Sequence, residues 1–355
     1  MSDIIFSRFF NNGISDRFES ITECVSTLKG VQSQIYNAAK VSIFNRTKNI
    51  HFKEIDSLLD SKKIINGWGQ RCTLHFYSTN DWPLIIASHN GYETWFRKKF
   101  KHSPGIYIQL YDDVCQLINR GPAFSRSDLD KLQEKYQINN LTQWGGILID
   151  LGLNGLVCNP STGERNKKYI YAPQWIDTNL PTIDSQQAEI VLMESYFLAY
   201  GPATLRDFCH WRNMKVSDAI QILGCCENVL AAFQLHRKTY YVHRNAKSQT
   251  MKIPEQFTTM LYRFDPILLA YHDKTWLLDS AYHKLIWQSA GHVNPVLIQN
   301  GRFKSLWKMA NRNGKIFFHF TLFDTLVKKD LDQVHACCSD LANYLGASAY
   351  EVKVS

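Results

Sequence analysis

Apolar residues recur at intervals of three and four near the start of the chain, as on one face of an amphipathic helix. The apolar positions of this first predicted helix are Phe18, Ile21, Val25 and Leu28. Gly30 stands where a left-handed helix end is expected, because glycine adopts positive φ without steric cost. A second helix is predicted to start near Ser33. Gln32 would then lie in the turn before it, so that Gln32 and Gln34 point the same way.

A third helix and a strand follow. Residues 52–59 carry apolar positions at helical spacing, residues 62–67 end that helix, and residues 71–77 alternate as in a strand. Helices followed by strands are the layout of a winged helix-turn-helix. The sequence therefore predicts one such domain in the first hundred residues.

An internal repeat extends this pattern. Residues 119–129 and 199–208 share a Gly-Pro-Ala break after an apolar-periodic helix, and Ser125 or Thr204 is placed to cap the next helix. Each copy ends in a tyrosine-rich strand, at residues 168–171 or 239–242, preceded by a polar turn. Each copy predicts a further winged helix, which gives three in tandem.

The last hundred residues have a different pattern. Asn300-Gly301 is a strong hairpin signal, and residues 311–315 provide a second turn, so an antiparallel meander is expected. A helix over residues 326–345 and a strand over 349–354 close the chain. The predicted fold class is α+β: winged helices over 1–105, 106–180 and 181–252, then a meander domain with a helix over 253–355.

Composition narrows the class of protein. The 355 residues are 45% hydrophobic, with 40 Lys and Arg against 32 Asp and Glu, a net charge of +8. The chain is expected to be folded, without a membrane span or signal peptide, and its charge is compatible with a polyanionic partner. Nine cysteines without a Cys-x-x-Cys pattern indicate reduced, mostly buried thiols, and neither a metal site nor a cofactor is predicted.

On spacing alone, Gln32 and Gln34 are typical of a solvated polar pair at a helix start. Their wider context changes this interpretation. The run Gly30-Val31-Gln32-Ser33-Gln34 with Ala38-Ala39, the later Arg71-Cys72-Thr73-Leu74-His75, the repeated Gly-Pro-Ala and the run at residues 262–274 together resemble winged-helix DNA glycosylases of the AlkZ/YcaQ type. The chain departs from that family's usual pattern at Ser33 and Cys72, which affects the expected breadth of substrate. In the run at 262–274, Ala270 and His272 replace the family's glycine and arginine.

The resemblance implies a monofunctional enzyme that excises alkylated purines of the N7-alkylguanine type, and in some members bulky adducts or interstrand crosslinks. Alkylation at N7 makes the base a cationic leaving group, so no strong general acid is needed. A neutral amide can hold the attacking water and face the developing positive charge. Gln34 is expected to orient the water and Gln32 to assist, with His75 and Asp265 as active-site neighbours. For both neighbours a purely structural role, for Asp265 in a turn or cap, stays open.

The expected partner is double-stranded DNA with alkylated bases, bound by a monomer in the bacterial cytoplasm at the nucleoid. Phosphate contacts should dominate binding. The candidate contacts lie at wing and hairpin tips and are Arg165, Lys167, Lys168, Arg237, Lys238, Arg312 and Lys315. The alternative is a non-enzymatic winged-helix regulator that reads sequence, although such regulators usually carry one winged helix per protomer.

Overall fold

A computed structural model describes residues 2–119, 121, 123–160, 168–176, 182–250, 257–323 and 328–355. Its contacts divide the chain into two compact units. Unit 1 comprises Met1–Gln32, Asn37–Ile55 and Leu192–Ser355, and unit 2 comprises Ser33–Tyr36 and Asp56–Val191. This division differs from the four segments predicted from the sequence, whose boundaries stay a prediction.

Helices and mainly antiparallel sheets alternate along the described chain, which confirms the predicted α+β class. The helices are α1 Ser2–Asn11, α2 Ile21–Thr27, α3 Tyr36–Phe44, α4 Glu54–Asp60, α5 Trp82–Ser88, α6 Trp95–Lys98, α7 Pro104–Ile118, α8 Asp130–Tyr136, α9 Ile147–Leu153, α10 Ala172–Ile176, α11 Ser185–Ala199, α12 Leu205–Arg212, α13 Val216–Cys225, α14 Pro266–Leu269, α15 His283–Ile286 and α16 Lys328–Tyr344. The strands are β1 Val31–Gln32, β2 Ile64–Trp68, β3 Leu74–Ser78, β4 Val157–Cys158, β5 Ile170–Tyr171, β6 Leu230–Leu235, β7 Lys238–His243, β8 Thr258–Leu261, β9 Val296–Gln299, β10 Arg302–Arg312, β11 Lys315–Leu322 and β12 Ala349–Val354. None of the helices within the described ranges is long and apolar enough to cross a membrane.

Unit 2 is built on the strands β3, β2, β4 and β5, which are neighbours in that order. β2 and β3 pair antiparallel with Gly67 opposite His75, and Gly67 also pairs with Cys158 of β4. A Cβ at Gly67 would lie 2.3 Å from the Trp82 ring, so only glycine lets α5 pack this closely on the strand.

Two details of unit 2 correct the sequence-based expectations. The predicted strand over 71–77 begins only at Leu74, because Arg71 and Cys72 have positive φ values of 56° and 57°. Residues 62–67 were expected to end a helix, whereas residues 64–68 form β2. β2 is buried along its whole length, so the run Ile64-Ile65-Asn66-Gly67-Trp68 lacks the alternation that marks a half-buried strand.

In unit 1, the second copy of the repeat forms α12, α13 and the antiparallel hairpin β6–β7. Thr204 caps α12 as predicted: its side chain accepts a hydrogen bond from Asp207 N, and the Asp207 carboxylate accepts one from Thr204 N. In the first copy, Ser125 N donates to Asp128 Oδ2 at 2.6 Å, and Arg120 and Pro122 lie outside the described residues.

The C-terminal sheet of unit 1 has the order β12-β11-β10-β9-β8. β8 to β11 are antiparallel, which confirms the predicted meander, and β12 adds a parallel edge to β11. Asn300 and Gly301 form the turn before β10 with φ values of 48° and 75°. α16 covers one face of the sheet through its buried residues Val334, Cys338 and Leu341. Its predicted first residues, Leu326 and Val327, lie outside the described residues.

Candidate active site

The segment 33–36 of unit 2 is fixed at both ends. Ser33 is buried; its backbone N donates to Leu74 O at 2.8 Å, and its Oγ donates to Asn66 Oδ1 at 2.7 Å. At the other end, the Tyr36 hydroxyl donates to Asp56, and its ring meets Phe76 edge-on at a centroid distance of 5.3 Å. The two residues between these anchors are therefore held in a defined place on the sheet.

Those two residues are Gln34 and Ile35, and both are exposed to solvent. The helix predicted to start near Ser33 begins instead at Tyr36, so Gln34 lies in a bend before it. Gln32 is not a turn residue either, because it is the last residue of β1 and only 8% exposed. Ser33 explains the later start: a side chain tied to Asn66 holds the backbone against the sheet, which a helix from Ser33 would not allow. Burying Ser33 and exposing Gln34 makes the amide of Gln34 available to a ligand.

His75 is a buried, neutral histidine of β3. Its Nδ1 lies 2.9 Å from Thr73 O, so Nδ1 carries the proton and donates, and its ring stacks on Tyr77. Burial and, to a smaller extent, the Arg71 guanidinium lower the pKa of His75 to about 3. His75 therefore carries no charge at neutral pH and cannot serve as an acid there.

Sequence reasoning assigned no role to three polar residues of unit 2 that interact with Ser33, His75 or Tyr77. Asn66, on β2, accepts the bond that fixes Ser33. Arg71 is partly exposed in a left-handed conformation, which brings a positive charge close to His75. Gln70 is buried and accepts from the Tyr77 hydroxyl. A signal for Arg71 was present, since it opens the family-like strand motif, but none pointed to Asn66, whose role depends on pairing across the sheet.

Asp265 of unit 1 is an interior group. Its two carboxylate oxygens accept from Arg46 at 2.5 and 2.8 Å, and both side chains are 0% exposed. Asp265 Oδ1 also accepts from Ile267 N and so caps α14. Asn12 Oδ1 accepts two further bonds from Arg46, at 2.9 and 2.7 Å. Burial alone would lower the pKa of Arg46, but Asp265 raises it above its usual value. The structure thus gives Asp265 the cap role that the sequence left open.

The predicted phosphate contacts lie in different surroundings. Arg165 and Lys167 fall outside the described residues, and Lys168 is exposed just before β5. Arg237 is exposed in the β6–β7 turn, whereas Lys238 is held by Asp273 at 2.6 Å. Arg312 is exposed at the end of β10, and Lys315 is held by Glu351 at 2.9 Å. Two of the candidates are thus already engaged by carboxylates.

Comparison with known proteins decides the family. A model of the family described as DNA glycosylase AlkZ-like matches residues 25–344. The chain belongs to the AlkZ-like DNA glycosylase family. It is 20% identical over 308 residues to the "Interstrand DNA cross-link repair glycosylase" of Streptomyces sahachiroi, a match that covers 82% of this chain and 83% of that protein. The solved structure of the Streptomyces sahachiroi DNA glycosylase AlkZ has the same fold, with a TM-score of 0.85 at 17% identity over 100% of this chain and 99% of that one.

Membership of the AlkZ-like family confirms the resemblance seen in the sequence and the prediction of a DNA glycosylase, an enzyme that acts on DNA. It favours the enzyme over the winged-helix regulator. No group of three or more His, Cys, Asp or Glu side chains that could hold a metal ion occurs within the described ranges.

Proposed function

We propose that this chain is a monofunctional glycosylase that hydrolyses the N-glycosidic bond of alkylated purines in double-stranded DNA, with N7-alkylguanine as the type substrate. Gln34 holds the attacking water and Gln32 assists it or contacts the sugar. The observation that carries the proposal is the display of Gln34 on the segment anchored through Ser33 and Tyr36, at the position of the family-like Gln-x-Gln.

An uncharged amide suits this reaction. The N7-alkylated base is cationic and leaves readily, so the transition state resembles an oxocarbenium ion. An amide oxygen held in place can orient water and face that charge without being deprotonated. Glutamine does not act as a base near neutral pH, which restricts the enzyme to bonds that alkylation has already weakened.

The state of His75 agrees with this restriction. Its imidazole is neutral at pH 7, and its protonated Nδ1 is used by Thr73 O. A neutral imidazole whose N–H is already used supplies no proton to a leaving base. The proposed reaction needs no such proton, because the alkylated base already leaves as a cation. Asp265 is buried with Arg46, so its proposed role is structural: the pair stabilises unit 1.

Binding to DNA is proposed to rest on three tandem winged helices over residues 1–105, 106–180 and 181–252, followed by the meander domain over 253–355. The helices α12 and α13 with the hairpin β6–β7 support the third of these. Lys168, Arg237 and Arg312 are the proposed phosphate contacts with exposed side chains. The protein is proposed to act as a monomer on chromosomal DNA in the bacterial cytoplasm. Interstrand crosslinks are included as substrates because the Streptomyces relative is named for their repair.

The test is base release from a defined duplex by the purified protein under single turnover. The panel contains N7-methylguanine, 3-methyladenine and one N7-linked interstrand crosslink. Wild type should release N7-methylguanine and leave an intact abasic site. The double variant Gln32→Ala, Gln34→Ala should lose about 10²–10³-fold in rate, the usual loss when an electrostatic contact to a transition state is removed.

Asn37→Ala is the matched control, since it removes an exposed amide only three residues beyond Gln34. Its rate should equal that of wild type. Unchanged base release in the double variant would exclude the two glutamines. A sequence-specific footprint on undamaged DNA with no base release from any lesion would favour the regulator.

A further inference from the structure

Unit 1 contains a cavity of about 890 Å³ that the proposed reaction does not use. Its walls are the first turn of α12, strand β7, Arg8 of α1 and residues 272–284. The volume lies within the range of roughly 300–1,000 Å³ that is typical of small-molecule sites.

The acidic side chains of the cavity are already satisfied. Asp207 Oδ1 accepts from His272 N at 2.8 Å and Asp273 N at 3.2 Å, in addition to the bonds of its capping box. Asp273 Oδ2 accepts from Lys238 Nζ at 2.6 Å and Oδ1 from Thr275 N at 2.9 Å. Burial alone would raise the pKa of Asp273, but these bonds lower it to about 2, so it is ionised at neutral pH. Asp279 Oδ1 accepts from Ala281 N at 2.9 Å. These bonds fasten the wall of the cavity. Its lining carries more cations than carboxylates: Arg8, Arg206, Lys238, Lys274 and Lys284 against Asp207, Asp273 and Asp279.

Several donors of the cavity lack partners among the described residues. Arg8 is 2% exposed, and its Nη1 has no hydrogen-bond partner although Nε donates to Pro202 O at 2.9 Å. The Nε1 of Trp276, over whose ring Arg8 lies at 4.6 Å, is likewise buried without a partner. Arg206 and Lys284 line the cavity with exposed side chains that form no ion pair within the described ranges. A buried, unsatisfied guanidinium nitrogen is costly, and an anionic ligand would satisfy it.

The aromatic groups of the cavity limit the kind of anion. Trp276 and Tyr240 line the same space as the cations. Aromatic faces beside cations are the means by which proteins bind a base together with its phosphate. We infer that this cavity is a nucleotide-binding site, with Arg206, Lys284 and Arg8 for the phosphate and Trp276 or Tyr240 for the base. The ligand is either a free deoxynucleotide or one nucleotide of a DNA strand.

The experiment measures binding by calorimetry of three probes to the full chain: deoxyguanosine 5′-monophosphate, deoxyguanosine, and a single-stranded pentanucleotide. Arg206→Ala, Lys284→Ala is the test variant, because both side chains are exposed and the fold does not depend on them. Lys215→Ala, Lys353→Ala removes the same charge from exposed positions of unit 1 outside the cavity and is the control. Thermal unfolding verifies that all three proteins are equally folded.

If the ligand is a free nucleotide, the monophosphate binds wild type and the control, and its Kd rises at least tenfold in the test variant. The nucleoside, which lacks the phosphate, should bind at least tenfold more weakly than the monophosphate. If the ligand is part of a strand, only the pentanucleotide binds, with the same dependence on Arg206 and Lys284. The inference is overturned if neither phosphorylated probe binds, or if the test variant and the control bind alike. None of these results depends on base release, so the test stands apart from the proposed reaction.

Discussion

The segment around Gln34 in unit 2 and the Arg46–Asp265 pair in unit 1 both contain residues that carry the family resemblance, yet they are built in opposite ways. Gln34 is uncharged and exposed, and the bonds of Ser33 and Tyr36 fix the backbone on either side of it. Arg46 and Asp265 are charged, 0% exposed and hydrogen-bonded to each other.

This difference separates two reasons for a residue to appear in a motif. A charged pair without solvent contact stabilises a fold only while both partners are present, since either charge alone is costly to bury. An exposed amide contributes almost nothing to stability, so its value lies in what it contacts outside the protein. We therefore expect substitutions at the two places to affect different measurements.

The largest expected effect is on stability, from Asp265→Ala. The variant leaves the Arg46 guanidinium buried without its counter-ion and removes the cap of α14. The free energy of unfolding should fall by about 3–5 kcal/mol. Urea unfolding measures this, with Asp279→Ala as control, because Asp279 is an exposed cap residue. If both variants lost the same free energy of unfolding, Asp265 would contribute only as a cap, and its buried pair with Arg46 would add no stability.

The next effect is on rate and comes from Gln34 alone. Gln34→Ala should slow base release by about 10²-fold, because it removes the group that positions water. Gln34→Glu should stay within about tenfold of wild type, since a carboxylate oxygen also holds water and faces positive charge. Single-turnover rates measure both, and thermal unfolding should be the same for all three proteins. A Gln34→Glu variant as slow as Gln34→Ala would contradict a water-holding role.

The comparison also shows what local sequence predicts. Helical periodicity predicted α2, Asn300-Gly301 predicted the turn before β10, and Thr204 predicted the start of α12, because each signal acts through near neighbours. The late start of α3 was missed, since it follows from a bond between Ser33 and Asn66 across 33 residues. The cap of α14 was foreseen as an alternative, but the Arg46 partner of Asp265 was not.

A third prediction concerns pH and uses His75, which lies near the Gln34 segment but is buried like Asp265. The pKa of His75 is about 3 in the folded protein, below its ordinary value of 6.5. Above pH 6.5 both states are neutral and the stability does not change. Below it the unfolded state binds the proton first, so stability falls as pH falls toward 3, at about 1.4 kcal/mol per pH unit.

Urea unfolding at pH 8 and pH 5 tests this. Wild type should lose about 2 kcal/mol more than His75→Asn over that interval, since asparagine does not titrate. An equal loss in both proteins would mean that His75 has the same pKa in the folded and unfolded states, so that it is protonated in the folded protein at pH 5. A His75 that is easily protonated could act as a general acid, so that result would also weaken the case for a mechanism without one.

The smallest effect comes from the β10–β11 hairpin, where an exposed and a paired cation lie opposite each other. Arg312 and Lys315 are partners in the strand register. Among the residues that the structure describes, Glu351 contacts Lys315 at 2.9 Å, whereas no carboxylate forms an ion pair with Arg312. Arg312→Ala should weaken binding to undamaged duplex a few-fold and reduce the salt slope by about 1 if it contacts a phosphate. Lys315→Ala should change binding less, because Glu351 already neutralises its ammonium, and should cost at most about 1 kcal/mol in stability.

Fluorescence anisotropy at two salt concentrations separates the two variants. If Lys315→Ala has the larger effect on the salt slope, the ion pair opens on DNA, and a carboxylate partner does not exclude a cation from the interface.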